Sequence, residues 1–270
     1  MMGILNVTPD SFSDGGQTFS LRAAVERAVR MAHDGADLID IGGESTRPGA
    51  ATVSADEEIR RVVPVIRRLA NRLTIPMSID TTKAIVAEEA LRAGASVVND
   101  ISGLAEDPAM AGVVARSRAA VILMHRRGTP RTMQRLARYR DVVREVTASL
   151  RESVRRAQRA GIARERILID PGLGFAKIAR HNLELLRNLS ALRALGRPIV
   201  IGPSRKSFIG RILGADVTER LAGTLACVSH AMAHGVAIVR VHDVRPAVEF
   251  IRMSHAIQTA ARSRPARARR

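Results

Sequence analysis

Asp37-Leu-Ile-Asp-Ile-Gly-Gly-Glu-Ser-Thr46 and Arg47-Pro-Gly-Ala-Ala-Thr-Val53 lead into Ser54-Ala-Asp-Glu-Glu-Ile-Arg-Arg-Val-Val-Pro-Val-Ile-Arg-Arg-Leu-Ala-Asn-Arg-Leu73. The first five residues are a short apolar run of strand length. A polar segment, Gly43 to Arg47, follows. Ser54 and Glu57 then make a capping-box pattern. Ile59, Val62, Val63, Ile66, Leu69 and Leu73 recur at three- and four-residue steps, as one face of an amphipathic helix does. The stretch reads as strand, polar loop, helix.

The same unit recurs along the chain. Gly3–Val7, Pro76–Ile79, Ser96–Asn99, Ala119–Leu123, Arg166–Ile169, Pro198–Ile201 and Val236–Arg240 join Asp37–Ile41 as candidate strands. All are short and apolar, as parallel strands buried on both faces should be. Val142, Val146, Leu150 and Val154 mark a later helix at the same period. Eight units in 270 residues, about 34 residues each, predict an α/β fold of the (β/α)8 TIM-barrel type. An open doubly wound sheet is the structural rival. The expected organisation is one barrel over residues 1–260 and a basic, disordered tail over 261–270.

Composition narrows the classes further. Hydrophobic residues at 46% and charged residues at 26% fit a globular protein and exclude a disordered or collagen-like chain. No run approaches the roughly 18 apolar residues of a membrane helix. One cysteine, Cys227, excludes an internal disulfide framework. The opening Met-Met-Gly-Ile-Leu-Asn lacks a signal-peptide pattern, so a cytoplasmic location is expected. The net charge of +17 invites a nucleic-acid reading. However, the segment from Arg262 to Arg270 holds five arginines, and aromatic residues are only 2%, leaving little for bases to stack on. No nucleic-acid partner is expected. Only Lys83, Lys177 and Lys206 among the 43 basic residues are lysine. Where arginine is the default cation, these three positions mark a need for a compact point charge.

Active sites of this fold lie in the loops leaving the C-terminal ends of the strands. Those ends carry Asn6; Gly43 to Arg47; Asp80; Asn99 and Asp100; His125; Asp170; Gly202 to Lys206; and Arg240 to His242. Any single Asp or Asn there reads first as a helix cap, and the bland alternative for Asp170 is a turn opener before Pro171. The series at successive strand ends points to a site.

These residues carry a resemblance. Asn6-Val-Thr-Pro-Asp-Ser-Phe-Ser-Asp-Gly-Gly16, Gly42-Gly-Glu-Ser-Thr-Arg-Pro-Gly-Ala50, Asp80-Thr-Thr-Lys83, Asn99-Asp-Ile101, Asp170-Pro-Gly-Leu-Gly-Phe175, Ser204-Arg-Lys-Ser207 and Arg240-Val-His-Asp243 resemble the signatures of the dihydropteroate synthase family. The resemblance runs from residue 3 to about 255. It implies a pterin-binding barrel, a sulfonamide target and usually a homodimer. Its members join 6-hydroxymethyl-7,8-dihydropterin diphosphate to p-aminobenzoate in folate biosynthesis, usually with Mg²⁺.

By that resemblance Asp170, Asn99 and Lys206 hold the pterin, with Asp80 near its reactive methylene. A carboxylate can accept a ring N–H and an amino group at once, and Asn99 offers both donor and acceptor. Thr46, Arg47 and Pro48 belong to a second loop that, with Phe175, Lys206 and Ser207, shapes the aminobenzoate site. Arg240 and His242 hold the diphosphate and Asn6 ligates Mg²⁺. The first loop, Asp10 to Gly16, suits a lid over a metal–diphosphate complex. Asp80, Lys206, Arg240 and His242 are the expected catalytic residues. No side-chain nucleophile is required: Ser204 and Ser207 show no sequence-visible His/Asp partner, so ionic stabilisation of the leaving group is the expected chemistry.

Other features are given lesser roles. His230 and His234 could mimic a metal pair, but His234 before Gly235 reads as a helix C-terminal cation. Gly172-Leu-Gly174 is too short for a dinucleotide fingerprint. Met232 and Met253 are expected in the core. Six arginines and no acid lie between Arg126 and Arg140, expected to be a solvated surface that could concentrate anions. Against the family pattern, the N-terminal hairpin common in the family is missing or not included in this sequence, Arg126-Arg127 replaces less charged residues, and Ala176 stands where glycine is frequent. Two other functions compete: a methyltetrahydrofolate–corrinoid methyltransferase sharing the Asp/Asn pocket, and a non-enzymatic basic protein using its tail and arginine-rich loop on nucleic acid.

Overall fold

The computed structural model describes residues 1–8, 21–46 and 49–260. The segment Asp10–Gly16 expected to serve as a lid, Arg47, Pro48 and the tail from residue 261 lie outside the described residues. Eight parallel strands run β1 Met2–Asn6, β2 Leu38–Gly42, β3 Met77–Asp80, β4 Val97–Asp100, β5 Ala120–Met124, β6 Ile167–Asp170, β7 Val200–Ile201 and β8 Ile238–Val241. Between and after them lie α1 Leu21–His33, α2 Ala55–Ala70, α3 Ala84–Arg92, α4 Met110–Ser117, α5 Val142–Arg159, α6 Ala179–Arg187, α7 Leu189–Leu192, α8 Ser207–Leu213, α9 Leu221–Ala233 and α10 Val244–Thr259.

The strands pair in the order β6-β5-β4-β3-β2-β1-β8-β7. A parallel bridge between Ile169 and Ile199 joins β6 to the strand entering β7, so the sheet closes on itself. That closure decides for the barrel and against the open sheet. All eight expected strands are present; β1 starts one residue earlier than expected, and the other seven start one or two residues later. β7 is cut to two residues because its N-terminal part supplies the closing bridge.

Alternation along the strands explains how the site is raised. Met2, Leu38, Ile122 and Val200 pack together inside the barrel, with Val97, Leu168 and Ile238 against them. In a strand, residue i+2 shares the face of residue i. Two residues beyond Leu38, Val97, Leu168 and Ile238 stand Asp40, Asn99, Asp170 and Arg240. An apolar layer therefore floors the barrel, and a polar layer lies above it. Outward-facing Ile39, Ile41, Ile79 and Val98 pack with the helices in one large core. Leu150 on α5 is fully buried in it, and such a side chain stabilises the fold by about 1.5–3 kcal/mol.

Three local expectations are corrected. Ser54 caps α2 by accepting the Glu57 N–H at 3.2 Å. The reciprocal half of the box is not formed, because Glu57 pairs with Arg60 and Arg61. Leu73 lies past the α2 C-cap, Asn71. Met232 packs against the core, but Met253 is 63% exposed: α10 outlasts the barrel wall it covers, and its last turns have nothing to pack on.

Candidate active site

The polar layer forms one hydrogen-bonded chain. Arg240, reaching in from β8, donates through Nε to Asp40 on β2 and through Nη2 to Asp80 on β3 at 2.7 Å. Asn99 on β4 donates through Nδ2 to the same Asp40 oxygen at 3.1 Å. Asp40 is fully buried. Burial works against the Arg240 charge, but Asp40 and Asp80 outweigh it and raise the pKa. Burial also drives Asp80 up to about 7, with Arg240 opposing the rise. Asp40 Oδ1, Asp80 Oδ1 and Ser78 Oγ are buried without a partner. Buried acceptors left unmatched cost about 1–3 kcal/mol each, so this layer is built to receive donors.

Asp170 stands beside it at the end of β6. Its Oδ1 accepts the Gly172 N–H at 2.7 Å, while Oδ2 accepts no hydrogen bond from the described residues. Burial raises its pKa, and Lys206, Arg240 and Lys177 favour the charged form. Gly172 needs both its freedoms: φ is +68°, and a Cβ would come 2.1 Å from the His125 carbonyl oxygen. Lys177 fastens the same loop from behind. Its Nζ lies 2.9 Å from both His125 Nδ1 and the Gly172 carbonyl and 2.8 Å from that of Phe175. Burial pushes the Lys177 pKa well down and His125 down to about 2, helped by the Lys177 charge. His125 is thus a neutral support. Ala176 occupies left-handed backbone, φ 51°, where glycine would be unstrained. Its methyl is buried with Ile101, Met124, Met133 and Phe175, which gives alanine a compensating role.

Lys206 precedes α8 and reaches across to this loop, donating to the Leu173 carbonyl at 2.5 Å. Its ammonium lies 4.2 Å from the Phe175 ring centroid, a cation–π distance. Burial lowers its pKa to about 8. His242 belongs to a neighbouring group: its Nδ1 lies 3.0 Å from Ser204 Oγ, and that oxygen accepts the His242 backbone N–H at 3.1 Å. Ser204 therefore does have a histidine partner. Burial and the nearby Arg240 push the imidazole down to about 3, so it is neutral and no base for a nucleophile. Arg205, in left-handed backbone at φ 56°, clasps Asp243 through Nε at 2.9 Å and Nη2 at 2.5 Å.

The structure thus brings Asp80, Asn99, Asp170, Phe175, Lys206 and Arg240 together, with His242 at the edge. Asn6, Thr46 and Ser207 sit on rim segments and make no hydrogen bond with that group. Asp100 is an architectural carboxylate, accepting the backbone N–H groups of Ser102 and Leu104 at 2.7 and 2.9 Å. His230 and His234 bond to backbone carbonyls and lie far along α9 from the polar layer. Arg126 and Arg127 are not solvated surface: they pair with Glu106 and Glu145, and Arg127 also covers the Tyr139 ring at 4.0 Å. Asp40 is the member of the polar layer that the loop-based reading missed. Its signal was present, as a lone acid inside Leu38-Ile-Asp-Ile41.

Among the described residues, no three His, Cys, Asp or Glu side chains gather to hold a metal, and no helix is long and apolar enough to cross a membrane.

Residues 2–242 match the family described as pterin binding enzyme. The chain is 51% identical over 258 residues to the dihydropteroate synthase of Synechocystis sp., covering 95% of this chain and 89% of that one. It is 47% identical over 260 residues to the Escherichia coli enzyme, covering 96% and 92%. Among solved structures, a dihydropteroate synthase from Clostridium difficile in the presence of pteroic acid superposes with a TM-score of 0.88 at 48% identity, covering 95% of each chain. That from Xanthomonas albilineans with 4-aminobenzoic acid gives 0.91 at 45% identity, covering 96% and 93%. A polar layer above a closed barrel floor, the motifs at its rim and near-half identity over almost the whole chain have one reading: the chain belongs to the dihydropteroate synthases, within the pterin-binding enzymes.

Proposed function

We propose that this chain joins 6-hydroxymethyl-7,8-dihydropterin diphosphate to p-aminobenzoate, yielding 7,8-dihydropteroate and diphosphate, with the roles that follow. The observation that carries the reading is the set of buried, unpartnered acceptors on Asp40 and Asp80 beside Asp170, which suits a ligand rich in ring N–H and amino donors, as a pterin is. Asp170 Oδ2 and Asn99 take the pterin edge, and Lys206 reaches its oxygen side. Asp80, ionised above about pH 7, faces the positive charge that develops on the methylene as its C–O bond to diphosphate breaks. The aminobenzoate nitrogen forms the new C–N bond and gives up a proton.

Arg240 and His242 receive the leaving group. With the Ser204 hydroxyl donating to Nδ1, the neutral imidazole keeps its N–H on Nε2, a donor suited to a phosphate oxygen. Thr46, Phe175 and Ser207, with Arg47 and Pro48, shape the aminobenzoate site. Asn6 supplies an amide oxygen at the mouth, a hard donor that fits Mg²⁺. This ion commonly takes few protein ligands and completes its shell with substrate phosphates and water. When bound, it would neutralise leaving-group charge.

The reading extends to a single catalytic domain over residues 1–260 with a basic tail, in the cytoplasm. We also infer a homodimer: Ile178 and Leu183 around α6 are exposed beside Ile212, Leu213 and Val217 around α8, and α6 packs on α8. One apolar patch of this kind suits a self-complementary interface. Sedimentation showing only a monomer at all concentrations would refute it. The central test is incubation with the pterin diphosphate, p-aminobenzoate and Mg²⁺. Dihydropteroate should appear with equimolar diphosphate. A chain that binds pterin but forms no product sinks the assignment.

A further inference from the structure

Each of the three lysines links two neighbouring loops at the barrel mouth. Lys206 ties the β7–α8 segment to the β6–α6 loop, and Lys177 ties that loop to the end of β5. Lys83, three residues beyond Asp80, has no place in the chemistry described so far. Its ammonium pairs with Glu44, near the start of the β2–α2 loop, and with Glu58 on α2 at 2.6 Å. Glu44 uses its other oxygen to accept the Val53 N–H, near the loop's far end, at 3.2 Å. Arg61 on α2 donates to the Gly43 carbonyl at 2.9 Å. Gly43 itself lies so close to α2 that a Cβ would meet Val62 at 2.8 Å and Glu58 at 3.0 Å.

We infer that Lys83 is a positioning residue, which through Glu44 holds the β2–α2 loop in the setting that receives p-aminobenzoate while touching neither substrate. The argument rests on the proposed role of Thr46 in that loop. The arrangement is asymmetric. Glu58 belongs to a rigid helix, is 1% exposed in its side chain and leaves Oε1 unpartnered. Glu44 belongs to a loop and is 22% exposed. Lys83 is itself anchored, its backbone N–H donating to Thr81 Oγ1 at 3.2 Å. The ammonium thus transmits the rigidity of α2 and of the β3 end to Glu44, and Glu44 closes the loop by gripping Val53. Stability alone is a weak account, since buried ion pairs roughly cancel against their desolvation. A single ammonium meeting two carboxylates at an angle also explains why lysine persists here in an arginine-rich chain.

The test separates positioning from folding. Glu44→Ala cuts the loop from Lys83 but keeps the Lys83–Glu58 pair, so the protein should fold with nearly its native midpoint. At saturating pterin diphosphate, KM for p-aminobenzoate should rise at least about tenfold, with kcat reduced less than about threefold. Calorimetric affinity for the pterin diphosphate should be unchanged. Lys83→Met should show the same KM effect with lower stability, because it strands Glu58, and Lys83→Arg, which keeps the charge but not the compact ammonium, should recover only part of the KM. An unchanged KM in folded Glu44→Ala, or a parallel loss of pterin affinity, overturns the inference. Thr46→Ala shows which statement failed. If Thr46→Ala raises KM and Glu44→Ala does not, positioning alone is wrong. If Thr46→Ala leaves KM unchanged, the aminobenzoate reading of the loop falls and the inference with it.

Discussion

Asp170 and Lys206 are where single atoms decide the outcome. Asp170→Asn keeps the shape but places an amide donor where one carboxylate oxygen takes Gly172 and the other is offered to ligand donors. Pterin affinity should fall by about 1.5–3 kcal/mol, the range for a hydrogen bond to a charged group. Calorimetry showing wild-type affinity would remove Asp170 from the site. Lys206→Arg preserves charge but puts a wide planar fork where a compact ammonium lies over Phe175 and against Gly174. A loss of at least about tenfold in kcat/KM is expected, with little change in thermal midpoint. The same lysine sets a pH limit. Lowered to about 8, it loses its charge as pH rises through that value. Asp80, raised to about 7, loses its charge as pH falls through that one. The kcat/KM profile should therefore be a bell between these limits. Lys206→Arg should abolish the alkaline limb, and a limb that persists belongs to another group. These residues were legible in the sequence because they close motifs at strand ends. Asp40 left a signal as the lone acid inside Leu38-Ile-Asp-Ile41, but it points to a site only once the alternation places it indoors, and Ser204 needed the fold to meet His242 across 38 residues.

At the scale of elements, period and composition located every strand, because a fully buried parallel strand must be apolar wherever it lies. Boundaries slipped because the final polar residue of a strand, such as Asp80 or Asp170, still pairs in the ladder while its side chain serves the site. The capping box was half legible: a serine cap is a local event, but Glu57 chose arginines whose positions only the helix sets. Loop chemistry was legible where glycine was obligatory. Gly172 combines left-handed backbone with contact against the His125 carbonyl, so Gly172→Ala cannot be absorbed by a side-chain shift. The β6–α6 loop must move, carrying Asp170 and Phe175 with it. Strain of this kind costs about 1–3 kcal/mol, and each kcal/mol lowers the midpoint of a chain this size by roughly 2–4 °C. Pterin affinity should fall together with the midpoint. A variant that loses stability but binds pterin normally would show that the loop's contacts with Lys177 and His125 do not place Asp170.

The whole molecule carries +17, and its geometry says which part of that charge reaches a substrate. Many described arginine pairs are surface contacts one helical turn apart, such as Arg22–Glu26 and Arg245–Glu249, which contribute little individually. At the mouth, Arg240 on β8 and Lys206 in the β7–α8 segment stand on neighbouring strand ends, facing where an anionic diphosphate would arrive. The five arginines beyond Ala260 start elsewhere. α10 begins just past Asp243 at the mouth and runs 16 residues, about 24 Å at the helical rise, so the last described residues lie near the opposite end of the barrel. That separation is about three times the roughly 8 Å screening length at physiological salt. Deleting residues 261–270 should therefore leave kcat/KM for the pterin diphosphate within about twofold of the full chain at that salt. Raising the ionic strength should lower kcat/KM equally in both forms, because the steering charges at the mouth are untouched. Steady-state kinetics at several salt concentrations on both forms provides the check. If truncation alone costs more than about threefold at physiological salt, the tail reaches back to the mouth and acts on the substrate.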